Sequence, residues 1–161
     1  MKTITLTSFS DTQKENLLNI WNAEYAAKLQ LPNLLEFEHF LDSLINQKHY
    51  LLVNEGDNIV GWAALFTIES AHCFFIMIDG NSHGKGYGTL LLNELKKHEK
   101  HLFGWAIDHN DDVKADGTFY RSPLDFYRKN GFTINSELRL ETDQLSAVNI
   151  VWSATNNQHN L

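Results

Sequence analysis

A mixed α/β fold in a single domain is what this sequence predicts, on three observations. Apolar residues switch repeatedly between helical spacing and strand alternation. The switches give the order β-α-α-β-β-β-α-β-α-β-β. No repeat, low-complexity tract or linker divides the 161 residues, a length that suits one domain.

The elements follow in order. Lys2 to Thr7 alternates Thr with Ile4 and Leu6, a short half-buried strand. Ser10 or Asp11 is an N-cap. Leu17, Leu18, Trp21, Tyr25 and Leu29 then recur at helical spacing and predict a helix over 11–29. After Pro32-Asn33, the stripe Phe37, Phe40, Leu41, Leu44 and Ile45 predicts a second helix over 34–48. Three β-rich runs come next: Tyr50 to Val53, Ile59 to Ile68 and Cys73 to Ile78. The hairpin signal Asn54-Glu55-Gly56-Asp57-Asn58 joins the first two, so 50–79 reads as an antiparallel meander. Leu90, Leu91, Leu92 and Leu95 predict a helix over 86–101, whose last turns carry Lys96, Lys97, His98, Lys100 and His101. Leu102 to Ile107 is a fifth strand, and 110–122 is a polar loop. Pro123 opens a short helix, Leu124 to Lys129, that stops at Asn130-Gly131. Phe132 to Leu140 and Ala147 to Trp152 are the final strands, and 155–161 is a polar tail expected to fray.

Composition narrows the function. Thirteen Lys and Arg against twenty Asp and Glu give a net charge of −7. That argues against nucleic-acid partners, whose binding rests on phosphate neutralisation. A single cysteine, Cys73, excludes an internal disulfide and a multi-cysteine zinc site. His98 and His101 lie three apart, but in a Lys-rich stretch they read as a solvated face, so no metal site is expected. No run approaches the ~20 apolar residues of a membrane helix, and the first residues lack the apolar core of a signal peptide. The expectation is a cytoplasmic protein with no membrane partner.

The chemistry concentrates in His83-Gly84-Lys85-Gly86-Tyr87-Gly88, between a strand and a helix. Glycines let backbone approach a ligand, and a helix N-terminus offers unpaired N–H groups to phosphate. A Walker loop does not fit: Gly80 precedes Gly84 by one residue too few, and Gly86 stands where Ser or Thr is needed. The dinucleotide fingerprint requires glycine where Thr89 stands, although Asp108 lies at about the right distance for a ribose contact.

A third match is better. His83-x-x-Gly86-x-Gly88 resembles the acetyl-CoA motif [QR]-x-x-G-x-[GA] of the GNAT superfamily of N-acetyltransferases. Phe126-Tyr127-Arg128-Lys129-Asn130-Gly131-Phe132 resembles its second signature, F-Y-x-K-x-G-F. The element order resembles the family from residue 2 to 152. Two features depart from the pattern: His83 replaces Gln or Arg, and the 110–122 loop is longer than usual.

The resemblance implies a mostly antiparallel central sheet of about seven strands, flanked by about four helices and splayed between the fourth and fifth strands. It implies acetyl-CoA as cosubstrate, with the pantetheine arm on the backbone of Met77 and Ile78, beside Ile76. The pyrophosphate then lies on His83, Gly84, Lys85, Gly86, Tyr87, Gly88 and Thr89, and Asn110 takes the junction after the fifth strand. Tyr127 matches the general acid that protonates the departing thiolate. Asp108 and His109, ending the fifth strand, are the leading candidates for the base, with Glu69, His72 and Asp79 behind them. The acceptor is an amine of a small molecule or peptide. Its side is shaped by the first two helices and the meander, where Glu24, Glu36, Glu38 and Asp42 face either the acceptor or, the leading reading, solvent; the surplus of carboxylates would draw a cationic amine. Cys73 lies off the chemistry, so transfer is direct. The final strands could also pair two subunits into a homodimer. The competing readings are a non-catalytic acyl-CoA sensor and a nicotinamide-dependent oxidoreductase.

Overall fold

The computed structural model describes residues 1–154, so the tail 155–161 lies outside the described residues. The chain runs β1 (Lys2–Leu6), α1 (Asp11–Glu24), α2 (Leu34–Asp42), β2 (Ile45–Val53), β3 (Ile59–Ile68), β4 (Ala71–Ile78), α3 (Tyr87–His98), β5 (His101–Ile107), α4 (Leu124–Lys129), β6 (Thr133–Glu141) and β7 (Ser146–Ser153). The order is the expected one, and β3 and α4 have the expected bounds.

Three helix ends differ from the sequence reading, each for a local reason. α1 starts on Ser10 as expected, in a capping box with Gln13 (2.9 and 3.2 Å). It stops at Glu24 rather than 29, because Tyr25 is extended and the chain folds back on the last turn. Trp21 Nε1 donates to Leu29 O at 2.9 Å, and the Asn22 amide pairs with both backbone groups of Leu31. α2 ends at Asp42 rather than 48, since the Gln47 amide caps it by donating to Leu41 O and Leu44 O. Ile45 therefore belongs to β2, where Asn46 sits at φ 55° in a bulge against β3. α3 ends at His98, and His101 opens β5 with its ring against Ser153 Oγ at 2.9 Å.

All seven strands form one sheet in the order β1-β2-β3-β4-β5-β7-β6. Neighbours are antiparallel except β4 and β5, which are parallel and share the single register pair Cys73–Phe103. α3 is the crossover that a parallel pair requires. Gly104 permits the contact, because a Cβ there would come within 3.0 Å of the Phe74 ring and 3.2 Å of its carbonyl. Beyond that point the strands part.

Each face of the sheet has its own core. Leu17, Trp21, Phe37 and Leu41 of α1 and α2 pack on Leu51, Trp62 and Met77. Leu91, Leu92 and Leu95 of α3 pack on the other face with Phe74, Tyr127 and Phe132. Within the first core, fully buried His49 accepts a hydrogen bond from Trp62 Nε1 at Nδ1 (3.1 Å). Its Nε2–H therefore donates to Gln47 Oε1 (2.8 Å). The ring is neutral, and burial lowers its pKa to about 4.

Candidate active site

The parting of β4 and β5 leaves one edge of β4 without a strand. Asp79 N donates across to Val60 O at 2.9 Å. By the two-residue alternation of an antiparallel pair, Met77 and Phe75 also turn their peptide groups toward β3. Phe74, Ile76 and Ile78 turn theirs to the open edge. The backbone on offer to an extended arm is thus that of Ile76 and the N–H of Ile78, whose carbonyl the His83 ring takes. Met77 contributes its buried side chain instead. The His83 ring spans the strand end, with Nε2 2.8 Å from Ile78 O, and so ties the following loop to β4.

That loop is shaped for an anion. Gly84 and Gly86 adopt φ 76° and 81°, a region L side chains avoid, and nothing lies within 4 Å of where a Cβ would stand at either. Gly86 caps α3 without a side chain. The first N–H to close back is Leu90, onto Gly86 O. The amides of residues 84 to 89 find no carbonyl partner among the described residues, so the helix start offers them to a ligand. Gly88 serves packing: a Cβ would meet the Phe126 ring at 2.8 Å, so glycine lets α4 lie against α3.

Loop, open β4 edge and α4 enclose one cavity of about 590 Å³. Met77, Ile78, His83, Gly84, Gly86, Tyr87, Gly88, Thr89 and Tyr127 line it, together from distant parts of the sequence. Tyr127 is 6% exposed and packs edge-on to Phe74 (6.0 Å) and Phe132 (5.3 Å). Burial, then the neighbouring Tyr25, pushes its ionisation far above the ordinary phenol range, so the hydroxyl keeps its proton. Tyr25 is pushed up to about 12 by burial.

Four expected residues are not among those lining the cavity. Lys85 is on the loop but does not line the cavity. Asn110 Oδ1 accepts from Ser122 N at 2.7 Å and borders a second cleft with Arg128. Asp108 is clasped by both terminal nitrogens of Arg139 (2.9 and 3.1 Å), which holds its carboxyl below the usual carboxylate range. His109 Nδ1 accepts from Asp111 N at 3.2 Å. Of the other base candidates, His72 pairs with Glu99 at 3.1 Å, and Glu69 forms a tight turn with Ser70.

Two features of the site escaped the sequence reading. Of the four carboxylates considered, Glu24 alone lines the cavity and is the one carboxylate there among the described residues; Glu36, Glu38 and Asp42 are absent from its walls. Glu24 is itself occupied, by Gly80 N (2.8 Å), Lys114 Nζ (3.2 Å) and, at 3.7 Å, His83 Nε2. Secondly, residues 110–122 fold as a hairpin rather than a loose loop. Val113 bridges Phe119, Lys114 N donates to Thr118 O, and Gly117 turns at φ 84°. Asp116-Gly117 is a hairpin signal that could have revealed it. The hairpin brings Lys114, Phe119, Tyr120, Arg121 and Ser122 to the cavity.

Comparison with known proteins agrees with this geometry. Residues 46–134 match the family described as an acetyltransferase (GNAT) domain. The uncharacterized protein YdhI of Bacillus subtilis is 31% identical over 86 residues, which are 52% of this chain and 48% of that protein. The chain therefore matches about half the length of this curated relative. Among solved structures, an aminoglycoside 6'-N-acetyltransferase complexed with coenzyme A superposes with a TM-score of 0.72 at 13% identity, covering 95% of this chain and 97% of that one. The ribosomal-protein-alanine N-acetyltransferase of Brucella melitensis gives 0.67 at 17%, covering 95% and 99%. A spermidine N-acetyltransferase chimera from Vibrio cholerae and hSSAT gives 0.65 at 13%, covering 95% and 96%. At these identities the structures speak for the fold, and the family match, over more than half of the sequence, speaks for descent: the chain belongs to the GNAT acetyltransferase family.

Proposed function

We propose that the protein is a single-domain, cytoplasmic N-acetyltransferase that moves the acetyl group of acetyl-CoA directly to a primary amine. One observation carries this reading. Gly84, Gly86, Tyr87, Gly88 and Thr89, whose amides have no carbonyl partner among the described residues, line the same cavity as Tyr127, beside the open edge of β4. Amides and helix dipole suit the pyrophosphate, and the Ile76 backbone with the Ile78 N–H suits the amide-bearing pantetheine arm. Lys114 and Arg121 add positive charge to the walls, so an acidic protein can hold an anionic cosubstrate through local groups.

In the transfer, the amine nitrogen bonds to the acetyl carbon as the carbon–sulfur bond breaks. The leaving sulfur takes the Tyr127 proton, and the phenolate regains one from solvent. Arg139 makes Asp108 a weak proton acceptor, so the amine sheds its own proton to water. Cys73 is buried in β4 and its thiol is pushed up to about 12 by burial, which agrees with transfer that passes through no acyl-cysteine.

Ligand-dependent melting tests the cosubstrate. Acetyl-CoA at 100 times its Kd adds about 2.7 kcal/mol of stability, while NAD leaves the melting temperature unchanged. A rise with NAD and none with acetyl-CoA contradicts the reading.

A further inference from the structure

We propose that the hairpin of residues 110–122 selects the acceptor, and that the acceptor is an aromatic primary monoamine. This rests on the transferase reading above.

The hairpin is a fixed wall. It leaves the end of β5 and is fastened across the splay to the chain that follows α1. Ala27 N donates to Val113 O at 2.7 Å, and Lys28 Nζ meets Asp112 Oδ1 at 2.8 Å. Lys114 meets Glu24 at 3.2 Å. The wall presents aromatic rings. Tyr120 packs beside Tyr25, ring centroids 6.0 Å apart and planes tilted by 34°, and both rings line the cavity. Phe119 lines the cavity yet is 66% exposed, an apolar ring at the mouth that a ligand ring would cover. Ring faces also hold an ammonium group. The charges point the same way. The cavity's one carboxylate among the described residues, Glu24, is held by Lys114 and the Gly80 amide, and Arg121 adds a further cation. A polycation finds no free carboxylate for its second and third charges, whereas a monoamine places one ammonium among rings.

The test is amine-dependent thiol release from acetyl-CoA with 2-phenylethylamine, hexylamine and spermidine, on wild type and Phe119→Ala. The exposed ring can be removed without disturbing the core. The expected result is a kcat/KM for 2-phenylethylamine roughly tenfold above the other two. Phe119→Ala abolishes that margin by raising the amine KM, while the acetyl-CoA KM stays within about twofold. Preference for spermidine, equal use of hexylamine, or an acetyl-CoA KM that rises in place of the amine KM overturns the proposal and leaves the transferase reading standing. Release with no amine, while acetyl-CoA still raises the melting temperature, overturns both.

Discussion

Two buried titratable side chains, Tyr127 and His49, show how position decides role. Tyr127 opens onto the cavity and is held protonated by its burial. Tyr127→Phe keeps the ring packing and removes the proton. Turnover should fall by roughly 10²–10⁴-fold at an unchanged melting temperature, measured by steady-state kinetics beside thermal unfolding. Because this acid does not ionise in the ordinary range, kcat/KM should rise with pH as the amine loses its proton. It should show no falling limb up to about pH 9.5. His49 does not line the cavity and acts on stability. Its pKa is about 4 when folded, against ~6.5 unfolded. The unfolded chain therefore takes up a proton that the folded chain refuses, and stability present above pH ~6.5 is lost as pH falls toward 4, by about 3 kcal/mol. Urea midpoints measured across this range should show the loss, and His49→Phe should flatten it. Tyr127 was legible in the sequence because its neighbours spell a motif. His49 was not: its bond partner Trp62 lies thirteen positions away, and the alternation of β2 says nothing of a donor on β3.

At the level of elements, the glycine loop and the hairpin divide the labour of the cavity. Gly86 and Gly88 separate two reasons for glycine. Gly86→Ala meets no atom but must hold φ 81°, at a cost of about 1–2 kcal/mol. It should raise the acetyl-CoA KM more than it lowers stability. Gly88→Ala drives a methyl into Phe126, so it should cost roughly 1–3 kcal/mol of stability as α3 and α4 separate. Denaturant titration and KM measured on both variants distinguish them. The hairpin's fastening has its own test. Asp112 is 8% exposed, and its Oδ2 has no hydrogen-bond partner among the described residues, so Lys28 is its main compensation. Lys28→Ala should cost about 1 kcal/mol, lowering Tm by about 2–4 °C. The loop motif could be read directly, since glycines, helix start and preceding strand are contiguous. The hairpin itself was signalled by Asp116-Gly117, but its place on the cavity was obscured because Lys114 meets a helix end some ninety positions earlier in the chain, a contact that no local pattern encodes.

Across the whole molecule, the function follows from one interruption in an otherwise continuous sheet. β4 and β5 touch at Cys73–Phe103 and then part, and one core, which holds Phe74 of β4 with Leu102 and Ala106 of β5, packs behind both strands. The order of elements and the meander were legible because period changes mark them. The ends of α1, α2 and α3 were not, because side chains such as Asn22 and Gln47 terminate them through contacts beyond the local period. The net charge of −7 says little about the acceptor side: among the described residues Glu24 is the only carboxylate lining the cavity, and it is already paired. What the architecture claims is acyl transfer in that gap. The most direct measurement is the release of free CoA thiol from acetyl-CoA, with and without a primary amine, accompanied by the mass of the amine product. The account predicts release that depends on the amine and a product heavier by one acetyl group. Thiol release that is independent of every amine, with no acetylated product, would contradict it.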